Sequence, residues 1–165
     1  MILYNIISSP IGNIKISASV NGITSVNFTE ENIESNTTQN YINTKINLIL
    51  THINHAKNEL NLYFEGKNRK FTSKLDLQGT YFQKKVWENL IDIEYGNTES
   101  YSFIANKINC NSSQAIGNAN KKNPILIIVP CHRIISKNGN LSGYSGGKEK
   151  KEWLINFEKK HKLIN

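Results

Sequence analysis

Apolar and polar positions along this 165-residue chain change period several times, and each change marks an element. Leu3–Ile7, Ile14–Val20 and Ile23–Phe28 are short β-rich segments, punctuated by Ser9-Pro10-Ile11-Gly12 and Asn21-Gly22. Asn-Gly between two such runs predicts a tight hairpin, because the turns that match strand twist need residues tolerant of positive φ. Residues 30–40 are polar and irregular, as expected of a loop. From Lys45 to Phe64, apolar residues recur at Ile49, Ile53, Ala56, Leu60 and Phe64, one face of a helix that Gly66 stops. Lys70–Leu77 alternates weakly and is read as a further strand.

The pattern changes character around Gly79, which divides the chain into expected domains of residues 1–78 and 79–165. Thr80-x-x-Gln83 is a capping-box start. Phe82, Val86, Trp87, Leu90 and Ile91 form the apolar stripe of the helix it opens. A short helix is expected over Ser102–Ile108, with Phe103, Ile104 and Ile108 inward. A turn at Asn109-Cys110-Asn111 leads to a second helix capped by Ser112, with Ala115, Ile116 and Ala119 inward. Two short helices across a tight turn read as helix-turn-helix, or equally as two packed helices of any bundle. The run Ile125–Val129 reads as a buried strand, which Pro130 ends because it has no N–H to donate. A turn at Lys137–Asn140 and a glycine-rich segment, residues 142–147, precede a last helix from Lys148 to about Lys160, packing through Trp153, Leu154 and Phe157.

Composition narrows the class. No apolar run approaches the ~20 residues a membrane helix requires. The first residues carry no cleavable signal pattern. With two cysteines and no Cys-x-x-Cys, a disulfide scaffold or zinc module is not expected. These features point to a cytoplasmic protein of a reducing cell interior. Net charge is +7: residues 1–78 hold seven basic and six acidic side chains, residues 79–165 thirteen and seven. The excess fits a polyanionic partner. Taken alone it is better explained by a solvated lysine-rich surface.

The candidate chemistry lies at Pro130-Cys131-His132-Arg133. A thiol at the end of a rigid strand, beside an imidazole and a guanidinium, has the surroundings of a reactive thiolate. Lowering a thiol pKa from ~8.5 to about 5 raises the thiolate fraction at neutral pH roughly thirtyfold, or ~2 kcal/mol. His132 is the candidate base, and Glu158, on the last helix, the candidate carboxylate to orient it. A lone Cys-His pair is also compatible with an inert, buried cysteine. His52 and His55 lie three apart with no third ligand, so no metal site is expected there. Cys110 reads as a small filler in its turn.

Pro130-Cys131-His132-Arg133, preceded by Asn123-Pro124 and followed by Gly143-Tyr144-Ser145-Gly146-Gly147 and Lys151-Glu152-Trp153-Leu154, resembles the O6-alkylguanine-DNA alkyltransferases, the methylated-DNA–protein-cysteine methyltransferases. The ordered match runs from about Gly79 to Glu158. The resemblance implies an α/β N-terminal domain, a small sheet plus helix, ribonuclease H-like. A mainly α C-terminal domain, winged-helix-like, would follow, with a helix-turn-helix that enters the minor groove. It implies DNA repair by stoichiometric transfer of an alkyl group from guanine O6 to Cys131. His132 would act as base through a water, Glu158 would orient His132, and Asn123 would brace the turn. Tyr101 would sit at the phosphate 3′ to the lesion and help rotate the nucleotide out. Tyr144 would donate to guanine N3, and the Ser145 backbone would face O6. The implied partner is double-stranded DNA containing O6-alkylguanine, with no cofactor, no metal, no membrane and a monomeric protein. The rival readings are a non-enzymatic helix-turn-helix lesion sensor or regulator, and a cysteine hydrolase.

One position departs from the pattern. Where the family places an arginine on the recognition helix, spacing back from Cys131 gives Gln114, which lacks a guanidinium's charge and stacking plane. Lys121 and Lys122 are expected to supply phosphate affinity. The cysteines of the zinc site found in some relatives are missing.

Overall fold

In the computed structural model, which describes residues 1–33 and 43–164, the first three strands form an antiparallel meander in the order β1 (Leu3–Ile7), β2 (Asn13–Ser19), β3 (Gly22–Thr29). Strand β2 shows why. Ile14, Ile16 and Ala18 alternate with Asn13, Lys15, Ser17 and Ser19 and turn one apolar face inward. Gly22 closes the β2–β3 hairpin at φ +148, and a Cβ there would stand 2.5 Å from the Lys74 carbonyl oxygen. Backbone approaches too closely for any side chain. Helix α1 (Thr44–Phe64) starts where the Asn43 side chain accepts from Lys45 N. It buries Ile49, Ile53, Ala56, Leu60 and Tyr63. The stripe ends on Tyr63, one residue before the expected Phe64, and the chain leaves the helix through Gly66 at φ +74. Residues 34–40 of the expected loop lie outside the described residues.

The expected strand at Lys70–Leu77 does not form. It reduces to a single bridge between Leu75 and Ile23. The N–H groups of Thr72 and Ser73, which a strand would give to a neighbour, donate instead to the Glu59 carboxylate of α1. Both hydroxyls do the same. His55 does not pair with His52; its Nε2 meets Thr72 Oγ1 at 2.9 Å.

By contacts within the chain, Met1–Leu77 forms one compact unit and Gln78–Asn165 another. The second opens on α2 (Tyr81–Ile91), whose Thr80–Gln83 capping box is fully made. Then come β4 (Glu99–Ser100), α3 (Tyr101–Lys107), α4 (Ser113–Lys121), a 3-10 turn (Cys131–Arg133), β5 (Ile134–Ile135) and α5 (Lys148–Leu163). Ser100 and Ser112 cap α3 and α4 through their hydroxyls. Trp87 Nε1 donates to the Ala119 carbonyl at 2.8 Å, tying α2 to α4. Ile91 and Phe103, expected inward, are both 44% exposed. Ile93 and Tyr95, beyond the end of α2, are buried together with Ile104 and Ile108. The pairing of β4 with β5, parallel and two residues long, was not legible in the pattern.

The largest departure is at Ile125–Val129. All five side chains are buried, as expected of a core strand, yet the backbone is a turn. Ile127 lies at φ +72, a left-handed conformation that a β-branched residue adopts only under constraint. Ile128 N donates to Leu126 O and Val129 N to Ile125 O, so the segment bonds to itself.

Candidate active site

The turn exists because Asn123 takes the partners a strand would have used. Asn123 Oδ1 accepts from Ile125 N at 3.0 Å, and its Nδ2 faces Ile125 O (3.3 Å), Val129 O (2.9 Å) and Cys131 Sγ (3.0 Å). One amide therefore staples both ends of the loop and touches the sulfur. Asn120 Nδ2 donates to the Cys131 carbonyl from α4. Pro130 leads into the 3-10 turn, and Arg133 N closes it on Pro130 O. Cys131 thus sits in a turn, not at a strand end.

Glu158 enters from α5. Its carboxylate meets His132 Nε2 at 2.7 Å and Arg133 Nε and Nη2 at 2.9 and 3.0 Å, and accepts from Gly96 N at 3.0 Å. Arg133 Nη1 donates to the Ile93 carbonyl. Burial on its own would raise the Glu158 carboxyl, but His132 and Arg133 outweigh it and hold the group far below the usual carboxylate range. An ionised carboxylate only accepts, so His132 Nε2 carries the hydrogen. Burial, helped by the charges of Arg133 and Lys151, lowers the His132 pKa against the pull of Glu158, so the ring rests neutral. Its Nδ1 is then a bare acceptor, buried and without a partner among the described residues. The arrangement holds an oriented imidazole with its basic nitrogen open.

The sulfur corrects the expectation of a resting thiolate. Cys131 is 1% exposed, and burial pushes its pKa up to about 11, against an Asn123 hydrogen bond and the charge of Lys151, which pull the other way. The Arg133 guanidinium is committed to Glu158 and to a carbonyl. It is a clamp on the carboxylate rather than the thiol's activating cation. At rest the site contains a neutral thiol and a neutral imidazole.

Cys131, His132, Glu158 and Asn123 are brought together. Tyr144 joins them: its ring stands edge-on to His132 with centroids 6.4 Å apart. Its buried hydroxyl has no partner among the described residues. Tyr101 is half-buried; its hydroxyl donates to Ser142 O at 3.5 Å, and a Cβ on Gly143 would stand 3.3 Å from it. Burial and then the Cys131 charge raise the Tyr101 pKa. Ser145, Gln114, Lys121 and Lys122 are exposed and outside this cluster, the last three on or just past α4. Sequence reasoning missed Asn120, the Arg133 clamp and above all Lys151, which is fully buried. The signal for Lys151 was its seven-residue spacing from Glu158, two helical turns along one face.

Two family models match the chain. Residues 2–77 match "6-O-methylguanine DNA methyltransferase, ribonuclease-like domain", and residues 81–160 match the DNA binding domain of the same name. A methylated-DNA–protein-cysteine methyltransferase of Methanosarcina acetivorans is 40% identical over 156 residues, 94% of this chain and 97% of that protein. An inducible one from Bacillus subtilis is 50% identical over 103 residues, 62% of this chain and 58% of that protein. The crystal structure of Mycobacterium tuberculosis O6-methylguanine methyltransferase superposes with a TM-score of 0.81 at 36% identity, covering both chains fully. The M. tuberculosis protein OGT in complex with DNA gives 0.80 at 38% identity, over 96% of this chain and 93% of that one.

Proposed function

The chain belongs to the 6-O-methylguanine DNA methyltransferase family, and from that premise we infer that it repairs DNA by moving an alkyl group from guanine O6 onto its own Cys131. The observation that carries the assignment of residues is the oriented relay: Glu158 fixes the His132 tautomer, leaving Nδ1 bare in the turn that bears the thiol.

The chemistry follows from those protonation states. With alkylguanine in place, the Cys131 proton passes to His132 Nδ1, through a water, and Glu158 stabilises the resulting imidazolium. Sulfur attacks the alkyl carbon in line. The S–C bond forms as C–O6 breaks, and the electron pair leaves on guanine. The proton then returns to the departing base, so thiol plus alkylguanine become thioether plus guanine. Tyr144 donates to guanine N3 and the Ser145 backbone faces O6, which makes guanine a better leaving group. A buried thiol whose pKa is pushed up to about 11 is largely un-ionised until substrate is bound. The thioether is stable, so each molecule reacts once.

The target is double-stranded DNA containing O6-alkylguanine. A stacked base hides its O6 group, so the nucleotide is extruded, at a cost of a few kcal/mol. Tyr101 acts at the phosphate 3′ to the lesion, Gln114 holds the place of the extruded base, and Lys121 and Lys122 contact phosphates. In this reading α3 and α4 are the helix-turn-helix of a winged-helix-like domain and the sheet unit is ribonuclease H-like. The protein works as a cytoplasmic monomer; among the described residues no helix is long and apolar enough to cross a membrane.

Intact mass after incubation with methylated duplex tests the reading. A transferase gains one methyl, about 14 Da, on Cys131 through a covalent step. Cys131→Ser is expected to bind the duplex and gain nothing. An unmodified wild type that binds the duplex would favour the lesion sensor, and repeated turnover on an ester would favour the hydrolase.

A further inference from the structure

Helix α4 buries Ile116, Ala119 and Asn120 and exposes Ser113, Gln114, Asn118 and Lys121. Gln114, Asn118 and Lys121 stand at i, i+4 and i+7, so they form one stripe along the outer surface. The stripe carries no charge until its last residue. A helix that held DNA through phosphates alone would present cations along its length, because phosphate affinity is electrostatic and carries no sequence information. Here the cation stands at the C-terminal end, and two carboxamides precede it. A carboxamide accepts hydrogen bonds as well as donating them, which neither a guanidinium nor an ammonium can do.

The position of the lesion selects the groove. Guanine O6 lies on the major-groove edge. A helix on that side would stand over the adduct and obstruct the departing base. A helix in the minor groove pushes the base out toward the side on which its O6 lies. That groove is only about 6 Å wide. Gly117, beside Asn118, suits so close an approach. A Cβ there would stand 3.6 Å from the Tyr101 ring, an ordinary contact, so packing within the fold does not demand a glycine. In the minor groove all base pairs offer acceptors, and G·C alone adds a donor, the guanine N2 amino group. Arginine and lysine cannot bond to it; an amide oxygen can.

We propose that Asn118 is a specificity-determining residue: its carboxamide oxygen accepts from the N2 amino group of a guanine near the lesion, so that repair depends on the neighbouring base pair. This role rests on Cys131 being the alkyl acceptor and on α4 being the helix that enters the duplex. Four residues of helix rise about 6 Å. Base pairs stack about 3.4 Å apart. With Gln114 at the place of the extruded base, Asn118 reaches a pair one or two steps away.

The test measures the second-order rate of methyl transfer from duplexes that differ at one pair, one or two steps from O6-methylguanine on either side. That pair is guanine or inosine opposite cytosine, and adenine or 2,6-diaminopurine opposite thymine. Inosine lacks the N2 amino group, and diaminopurine restores it to an A·T pair. At the position that is read, wild type should react about three- to tenfold faster with guanine than with inosine, the worth of one hydrogen bond, and faster with diaminopurine than with adenine by a similar factor. Duplex stability predicts the opposite sign, because losing the N2 amino group weakens pairing and eases extrusion. Asn118→Ala, an exposed change, should bring both ratios to about one, and Asn118→Gln should keep part of each. Ratios taken within one variant cancel any change in its overall affinity or stability. Equal wild-type rates with guanine and inosine at every position, faster reaction without the N2 group, or a preference that survives in Asn118→Ala overturns the proposal. A wild type that gains no methyl on Cys131 from any duplex would instead overturn the acceptor assignment.

Discussion

Each half of the chain buries a glutamate inside a set of hydrogen bonds, and the two are built for different ends. Glu59 reaches from α1 to the segment after it and accepts from two N–H groups and two hydroxyls, those of Thr72 and Ser73. Its hydrogen-bonding hydroxyl and amide partners are uncharged, and none has a basic nitrogen left over. Glu158 accepts from a guanidinium, an imidazole and one N–H. Its network ends in a bare nitrogen, His132 Nδ1. The first carboxylate closes a hydrogen-bond inventory that holds the Thr72–Ser73 segment to α1. The second is paired with a guanidinium on one side and holds on the other a neutral imidazole that can accept a proton. Saturation marks a structural site; a saturated carboxylate holding an unsaturated base marks a chemical one.

Neutralising each carboxylate in turn tests this contrast and carries the largest expected effect. Glu158→Gln leaves the buried Arg133 guanidinium uncompensated, which costs about 3–5 kcal/mol. It also removes the acceptor that fixes the His132 tautomer, so single-turnover transfer should fall about a hundredfold or more. Glu59→Gln presents an NH2 to a donor and should cost only about 1–3 kcal/mol, with transfer unchanged in the folded fraction. Urea unfolding and a single-turnover assay read both. Acid sharpens the pair. In each case burial acts to raise the carboxyl pKa and hydrogen bonds, with positive charge at Glu158, win and lower it below 4.5. Each carboxylate therefore contributes stability that is present above pH 4.5 and lost as pH falls through the folded value. The gap between wild type and either variant should shrink in acid, and the shrinkage should extend to lower pH for Glu158. Equal rate losses in the two variants would erase the distinction.

An intermediate effect is expected at Asn123, which belongs to neither carboxylate network. Asn123→Ala strips the Ile125–Val129 loop of its staples and leaves Ile125 N unpartnered. The loss should be about 2–3 kcal/mol. Ile127, held at φ +72 only by its surroundings, should then relax toward extended backbone and carry Cys131 away from the imidazole. Transfer should fall even at temperatures where the variant is folded. A variant that loses stability but keeps the wild-type rate would show that the loop places the thiol without its amide.

These residues also show what the sequence could carry. Strands β1–β3, helix α1, the Thr80 capping box and the Ser112 cap were readable, because period and cap chemistry are local. The motif offered Cys131 and His132 as candidates and the last helix offered Glu158, but that Glu158 lies 2.7 Å from His132 was not in the sequence. The turn at Ile125–Val129 was not. A run of buried β-branched residues has the same composition in a strand and in a constrained turn, and the difference lies in an amide two residues before it. The thiol's resting state was misread for a related reason. Adjacent letters suggested that Arg133 activates Cys131, whereas the fold spends that guanidinium on a carboxylate 25 residues away. Partners distant in sequence decide charge, and a single sequence does not place them.

The smallest predicted effect tests the contrast from outside both networks. Gln114 is exposed at the start of α4. If function resides in the relay and recognition in α4, then Gln114→Arg should leave stability within about 0.5 kcal/mol of wild type, as surface changes do. It should also leave transfer from free O6-methylguanine unchanged, because that substrate needs no extrusion. On methylated duplex, a guanidinium that stacks and carries charge should hold the orphaned partner base better than an amide does. The rate should rise several-fold, and the added charge should steepen its dependence on salt. Equal rates for Gln114→Arg and wild type on duplex would remove Gln114 from the extrusion step. A gain on the free base as large as that on duplex would mean that α4 communicates with the thiol, and the separation between binding surface and chemical centre would have to be redrawn.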